Sequence, residues 1–238
     1  MQKKPETKVY FIGAGPGAAD LITLRGKRLL EEADLVVYTG SLLNPEILGY
    51  THGRLVNSHG MELNEICDLM IQNAKAGRKV VRLHSGDPSI FGAIAEQIAI
   101  LKESNIEVEI VPGVSSLFAA AAALQTQLTQ KEISETLIVT RPHNNLSWNK
   151  STTLAIFLGA HKIRDLVKNI PPETPVAVVY KASWKDQKII RGKASNIARK
   201  VEEAGINRTA LIIIGQILDP PKITPSHLYS KNYAKDIP

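Results

Sequence analysis

Cysteine occurs once in the 238 residues, at Cys67. A single thiol excludes an intramolecular disulfide framework and suits a reducing cytoplasm. It falls inside a helical pattern, where a buried structural thiol is the expected role. Aromatic residues make up only 5% of the chain, and no run of five Lys or Arg occurs. The interleaved cations and stacking rings of an RNA-binding stripe are therefore missing, and no nucleic acid is expected as a partner. Long apolar runs are missing as well: "LFAAAAAL" and "ALIII" are far too short to cross a bilayer. No signal-peptide pattern opens the chain, because Lys3 and Lys4 lead to Pro5 and Glu6 with no apolar stretch behind them. The six histidines are dispersed without metal-ligand spacing, so no metal site is expected.

Against these absences stand a 44% apolar composition, enough for a buried core, and a net charge of +6. The basic residues are scattered, which suits solubility, and their excess suits an acidic small molecule.

The stretch "YFIGAGPGAADLIT", Tyr10 to Thr23, sets an apolar run against a glycine-rich turn. Gly13, Gly15 and Ala18 fit the G-x-G-x-x-G/A template of dinucleotide binding. That mechanism needs backbone N–H groups at a helix N-terminus aimed at a pyrophosphate. Pro16 has no N–H to offer, and the helical pattern starts late, near Thr23. The ribose-binding acid is also misplaced, since Asp34 opens the second strand instead of closing it. The spacing therefore argues against a nicotinamide or flavin cofactor.

The first half alternates strand and helix. "KVYFIG", "DLVVY", "KVVRLH" and "VEIVPG" read as strands. "LRGKRLLEEA", "ELNEICDLMIQNAKAG", "IFGAIAEQIAILKES" and "SSLFAAAAALQ" read as helices, with Gly77 stopping the second and Ser115 or Ser116 capping the fourth. This predicts an α/β domain over 7–124 with a mostly parallel sheet. Polar residues from Gln125 to Glu135 predict a boundary. A second α/β domain over 136–220 contains "TLIVTR", "TLAIFLG", "PVAVVYK", "QKIIRGK" and "ALIIIGQIL" as strands. Its helices are "HKIRDLVKN" and "ASNIARKVEEAG". The "ASWKD" link predicts a hairpin, so this sheet should be mixed. Residues 221–238 read as an extended tail.

Three glycine turns follow strands in the first domain: "GAGPG", "SGDP" and "VPGVSS". Strand ends in a parallel sheet share one edge, so these turns are expected to line one cleft. His84, Ser85 and Asp87 lie too close along one strand end to converge as a hydrolytic triad.

Together "GAGPGAADLITLRG", "HSGDPSIFGAIAEQ", "VPGVSSLFAAAAAL" and "VYKASWKDQKIIRG" resemble the tetrapyrrole methylase family, in its order and spacing over nearly the whole chain. The resemblance implies two α/β/α domains with the cofactor in the cleft between them. It implies S-adenosyl-L-methionine as cofactor and S-adenosyl-L-homocysteine as product. It carries cofactor contacts onto Pro16, Ser85, Gly86, Asp87, Ile90, Ser115 and Ser116, and onto Leu158, Ala182 and Ala210 in the second domain. It implies a homodimer, in the cytoplasm, without membrane attachment. The segments "NSHGMELNEI" and "VYKASW" resemble the branch that methylates C-11 of cobalt-precorrin-4 in cobalamin biosynthesis. Other tetrapyrroles, metal-free precorrin-4 or uroporphyrinogen III, are the alternatives, with RNA or protein further off. His59, Glu62 and Arg141 are candidate contacts to the polycarboxylate macrocycle. No general base is identified. Two features depart from the family pattern: Ala18 stands where Asp usually follows "GPG", and "RPHNNLSWNKST" is short.

Overall fold

A computed structural model describes residues 7–143 and 148–222. The tail read from the sequence lies outside the described residues beyond position 222. The chain divides into two compact units. The first comprises residues up to Ala119 together with Ser183–Lys185, and the second comprises Ala120–Ala182 and the chain from Asp186.

The first unit is built on five strands, β1 (Lys8–Gly13), β2 (Leu35–Tyr38), β3 (Arg54–Asn57), β4 (Val80–His84) and β5 (Glu107–Val111), in the order β3-β2-β4-β1-β5. Every pairing in it is parallel, so the sheet expected to be mostly parallel is wholly so. β4 is the strand read as the third in the sequence. β3 was not anticipated: it is four residues long and exposed at the sheet edge, so burial imposes no apolar alternation on it.

Alternation along β1 sends its side chains to two cores. Tyr10 and Ile12 pack with Leu29, Leu30, Val81 and Leu83. Val9 and Phe11 pack with Met70, Val80 and Leu101 on the other face. The first core is closed by α1 (Leu24–Glu31), which starts where the Thr23 side chain accepts a hydrogen bond from Gly26 N at 3.1 Å. The second is closed by α2 (Leu63–Lys75) and α3 (Ala95–Glu103). α2 opens on a capping box between Glu62 and Glu65. It ends at Gly77, whose φ of +76° is the left-handed turn that stops a helix. α3 begins later than its apolar pattern suggests, because Phe91 and Ala93 adopt φ of 55° and 49°. Cys67, on α2, is fully buried.

α4 (Ser116–Leu124) runs across the division between the units. The sequence places its boundary later, at Gln125–Glu135. A division inside an alanine-rich helix leaves no compositional mark. The second unit holds β6 (Thr136–Thr140), β7 (Thr152–Ile156), β8 (Pro175–Tyr180), β9 (Lys188–Lys193) and β10 (Ala210–Ile214), ordered β6-β7-β10-β8-β9. β6 and β7 are parallel, and the other pairs antiparallel, including the β8–β9 hairpin. Leu154, Ile156, Val176, Val178, Ile212 and Ile214 form its core with α5 (Ile163–Leu166) and α6 (Ile197–Glu203). α5 is only four residues long.

Candidate active site

Strands β4, β1 and β5 are neighbours, and their C-terminal ends carry the three glycine turns. From β1 the chain proceeds beyond β4 to β2, whereas from β4 it crosses β1 to reach β5. In open parallel sheets ligands bind outside the C-terminal edge at such a reversal.

The turns touch there through backbone. Ala14 N donates to His84 O at 2.7 Å, and Gly86 N donates to Gly15 O at 2.7 Å, with the reciprocal bond at 3.2 Å. Gly15 and Gly86 have φ of +84° and +64°, which L side chains rarely adopt. A Cβ on Gly13 would lie 2.6 Å from Gly113 Cα and from Gly86 O. The absence of side chains therefore lets three loops meet. Above Gly86 the situation reverses: a Cβ there would find nothing nearer than Ser115 Cα and Ser116 N, both at 3.9 Å.

Asp87 braces this junction. Its carboxylate accepts from Ser89 N at 2.7 Å and from Gly113 N at 2.9 Å, tying the second turn to the third. The resemblance implies a cofactor contact for Asp87, and the structure gives its carboxylate two backbone partners. Ser115 is buried, and its hydroxyl accepts from Leu117 N at 3.3 Å, so Ser115 is the residue that caps α4. Ser85, Gly86, Asp87, Ile90, Ser115 and Ser116 thus gather on the loops after β4 and β5. Pro16 is buried in the neighbouring loop after β1.

Beneath the junction lie two titratable groups that sequence reasoning did not assign. His84 is buried and stacked on Phe11, with ring centroids 5.7 Å apart. Burial, helped by the nearby Arg82 charge, pushes its pKa down to about 3, so the ring is neutral. Its Nε2 is buried without a hydrogen-bond partner. Arg82 is 4% exposed. Its guanidinium donates to Gln97 Oε1 at 3.0 Å, Ser58 Oγ at 3.0 Å, Val37 O at 3.3 Å and Thr39 Oγ1 at 3.3 Å. All four acceptors are neutral, and burial lowers the pKa to about 10, still a cation. The only sequence signal for this group was a charge inside the otherwise apolar strand "VVRLH".

The loop after β1 is held by side chains distant in sequence. Trp184 Nε1 donates to Pro16 O at 3.0 Å, Asn44 Nδ2 donates to Gly17 O at 2.8 Å, and Ala18 N donates to Ser183 Oγ at 3.0 Å. α1 starts eleven residues after Gly13, beyond a short 3-10 turn at Ala19–Leu21, in keeping with the late helical pattern.

In the second unit, Leu158, Ala182 and Ala210 fall at one edge of the sheet. Tyr180 pairs with Ala210, and Lys181 N donates to Thr209 O at 2.9 Å. Ile156 pairs with Ile212, which brings the segment after β7 to the same edge. Three non-glycine residues there are left-handed: Leu158 at φ 55°, Lys181 at 46° and Thr209 at 54°. Leu158 is also 56% exposed, unusual for leucine. Strain of this kind concentrates at functional edges.

The substrate candidates are less gathered. His59 and Glu62 both lie exposed in the loop between β3 and α2, and the Glu62 carboxylate serves the capping box. Arg141 is exposed just after β6, in the other unit. The surface depressions at Thr129–Glu135 and around His161, Arg164 and Glu202 contain none of these residues. Among the described residues, no helix is long and apolar enough to cross a membrane.

These features agree with what comparison with known proteins gives. Residues 8–198 match the tetrapyrrole (corrin/porphyrin) methylases. The chain belongs to that family. It is 49% identical to the cobalt-precorrin-4 C(11)-methyltransferase of Methanocaldococcus jannaschii, over 95% of this chain and 94% of the relative. Among solved structures it resembles a cobalamin biosynthetic enzyme, a cobalt precorrin-4 methyltransferase, with a TM-score of 0.85 and 37% identity over 90% and 97% of the two chains. It also resembles the uroporphyrin-III C-methyltransferase of Thermus thermophilus complexed with S-adenosylhomocysteine, with a TM-score of 0.78 and 29% identity over 89% and 98%.

Proposed function

We propose that this chain transfers a methyl group from S-adenosyl-L-methionine to C-11 of cobalt-precorrin-4, a step of cobalamin biosynthesis. The observation that carries the reading is the junction of Gly13, Gly86 and Gly113, where a Cβ on Gly86 alone would meet nothing closer than ordinary contact. The relative of highest identity quoted above bears the name of this activity over nearly its full length.

The cofactor brings an activated methyl on a sulfonium. The chain's residues then have to bind, orient and exclude water. Gly86 leaves room for a ligand to approach the backbone closely, a space that a Cβ would fill. Asp87 fixes the two turns that border that space. Ser85, Ile90, Ser115 and Ser116 are the further contacts assigned in the first unit, with Pro16. Leu158, Ala182 and Ala210 are assigned in the second. The macrocycle supplies its own carbon nucleophile, so no triad is needed. Its carboxylates suit a chain of net charge +6, and His59, Glu62 and Arg141 remain the assigned substrate contacts.

Incubation with methyl-labelled cofactor and cobalt-precorrin-4 should add one methylene unit by mass, and carbon NMR should place it at C-11. A methyl at C-17 or C-20, or turnover only with uroporphyrinogen III or metal-free precorrin-4, would overturn the reading. The protein is further proposed to work as a cytoplasmic homodimer. Sedimentation showing a monomer at assay concentration would refute the dimer.

A further inference from the structure

We propose that Ser183 and Trp184 are positioning residues for methyl transfer, which act by clamping the glycine loop after β1. The inference rests on the function proposed above. Its observations concern the first unit alone.

Three consecutive residues of that loop have a backbone group held by a side chain. Pro16 O accepts from the Trp184 indole, Gly17 O from the Asn44 amide, and Ala18 N donates to the Ser183 hydroxyl. The indole also crowds Gly17, where a Cβ would stand 2.0 Å from Trp184 Cδ1 and 2.3 Å from its Nε1. The contacts close into a ring. Asn44 Oδ1 accepts from Glu46 N at 3.1 Å, and Glu46 pairs with Lys185 at 2.5 Å, next in sequence to Trp184. Ser183 holds φ of 69°, a conformation serine rarely takes and one kept only where surroundings enforce it.

The clamp bears on chemistry because the loop is coupled to the cofactor turn. Gly15, at its start, exchanges both backbone hydrogen bonds with Gly86. A shift of Pro16–Ala18 therefore passes through this reciprocal pair, at 2.7 and 3.2 Å, to the residue beside the proposed ligand space. In-line transfer tolerates little displacement: a misplacement of about 1 Å can cost about 100-fold in rate.

Ser183→Gly is the discriminating variant. Glycine adopts the same φ without strain, so a merely structural serine would leave folding unharmed and activity unchanged. The clamp predicts that kcat falls about 10-fold, with KM and cofactor affinity altered less than about 3-fold. Trp184→Phe keeps a ring against Gly17 but lacks the N–H donor, and should fall similarly. Ser183→Asn tolerates the left-handed backbone, offers an acceptor to Ala18 N, and should restore most of the rate. Deuterium uptake in a peptide covering Gly15–Leu21 gives an arm independent of turnover. It should be slow in the wild type and faster in Ser183→Gly. Unchanged uptake together with unchanged kcat in Ser183→Gly would overturn the clamp. A wild type inactive on cobalt-precorrin-4 yet showing the uptake difference would overturn the proposed function and leave the clamp standing. An inactive wild type without that difference would overturn both.

Discussion

Glycine substitutions at the turn junction should separate folding from binding. Consider Gly13→Ala and Gly86→Val. At position 13 the new Cβ would lie 2.6 Å from backbone atoms of two other turns, roughly 0.8 Å short of ordinary contact. Backbone cannot swing aside as a side chain can, so β1, β4 and β5 must part at their ends. Overpacking of this kind costs about 1–3 kcal/mol. Weakening the Gly15–Gly86 pair adds about 1 kcal/mol. For a chain of this size each kcal/mol lowers Tm by about 2–4 °C. A loss of roughly 4–16 °C is therefore expected for Gly13→Ala. At position 86 the new Cβ meets Ser115 Cα and Ser116 N only at 3.9 Å, an ordinary contact, so the cost comes from the left-handed backbone, at about 1–2 kcal/mol. Gly86→Val should thus stay folded with a modest Tm loss, while its branched side chain occupies the ligand's room. Calorimetric titration with S-adenosylhomocysteine should show binding weakened beyond about 100-fold, roughly 3 kcal/mol. Wild-type affinity in Gly86→Val would refute the assignment of that space to the cofactor. Wild-type stability in Gly13→Ala would refute the close junction itself.

Asp87→Ala removes the acceptor of two backbone N–H groups and should cost about 1–3 kcal/mol in chemical denaturation, with cofactor affinity falling alongside; unchanged stability would return Asp87 to a purely ligand-facing role. His84 is neutral in the fold, with a pKa of about 3 against 6.5 when unconstrained, so between these values the unfolded chain takes up a proton the folded one refuses. Its contribution to stability is therefore full above pH 6.5 and is lost as pH falls toward 3, by up to about 1.4 kcal/mol per unit. Urea midpoints at pH 7, 5.5 and 4.5 should show a flatter acid limb in His84→Gln. Arg82→Met leaves Val37 O, Gln97 Oε1 and two hydroxyls without their donor and should lower stability by about 2–3 kcal/mol, measured by the same titration at pH 7.

What could be read from the sequence followed local rules. Strand period, helix caps and the three glycine turns each depend on neighbours within a few residues. Parallel pairing then carries those turns to one edge, so Gly13, Gly86 and Gly113 were within reach of inference. β3 was not, since "RLVN" has no buried face to shape its composition. The late start of α3 was hidden because Phe91 and Ala93 are not residues that announce a left-handed backbone. The brace role of Asp87 needed the geometry of Gly113. The hold of Ser183 and Trp184 on a loop some 165 positions earlier has no local signature at all.

The assignment of Ser183–Lys185 to the first unit bears on how this chain can be taken apart. A fragment ended at Ala119 would contain every strand of the parallel sheet and all three glycine turns. It would lack the indole that satisfies Pro16 O and the hydroxyl that accepts from Ala18 N. Dissection of the gene at that helix would thus yield a half whose glycine loop keeps the Asn44 amide on Gly17 O but has lost its other two fastenings. A tandem arrangement of separable modules, each expressed and recombined at will, is not available to this architecture. Any split version would have to deliver the serine–tryptophan–lysine stretch in trans.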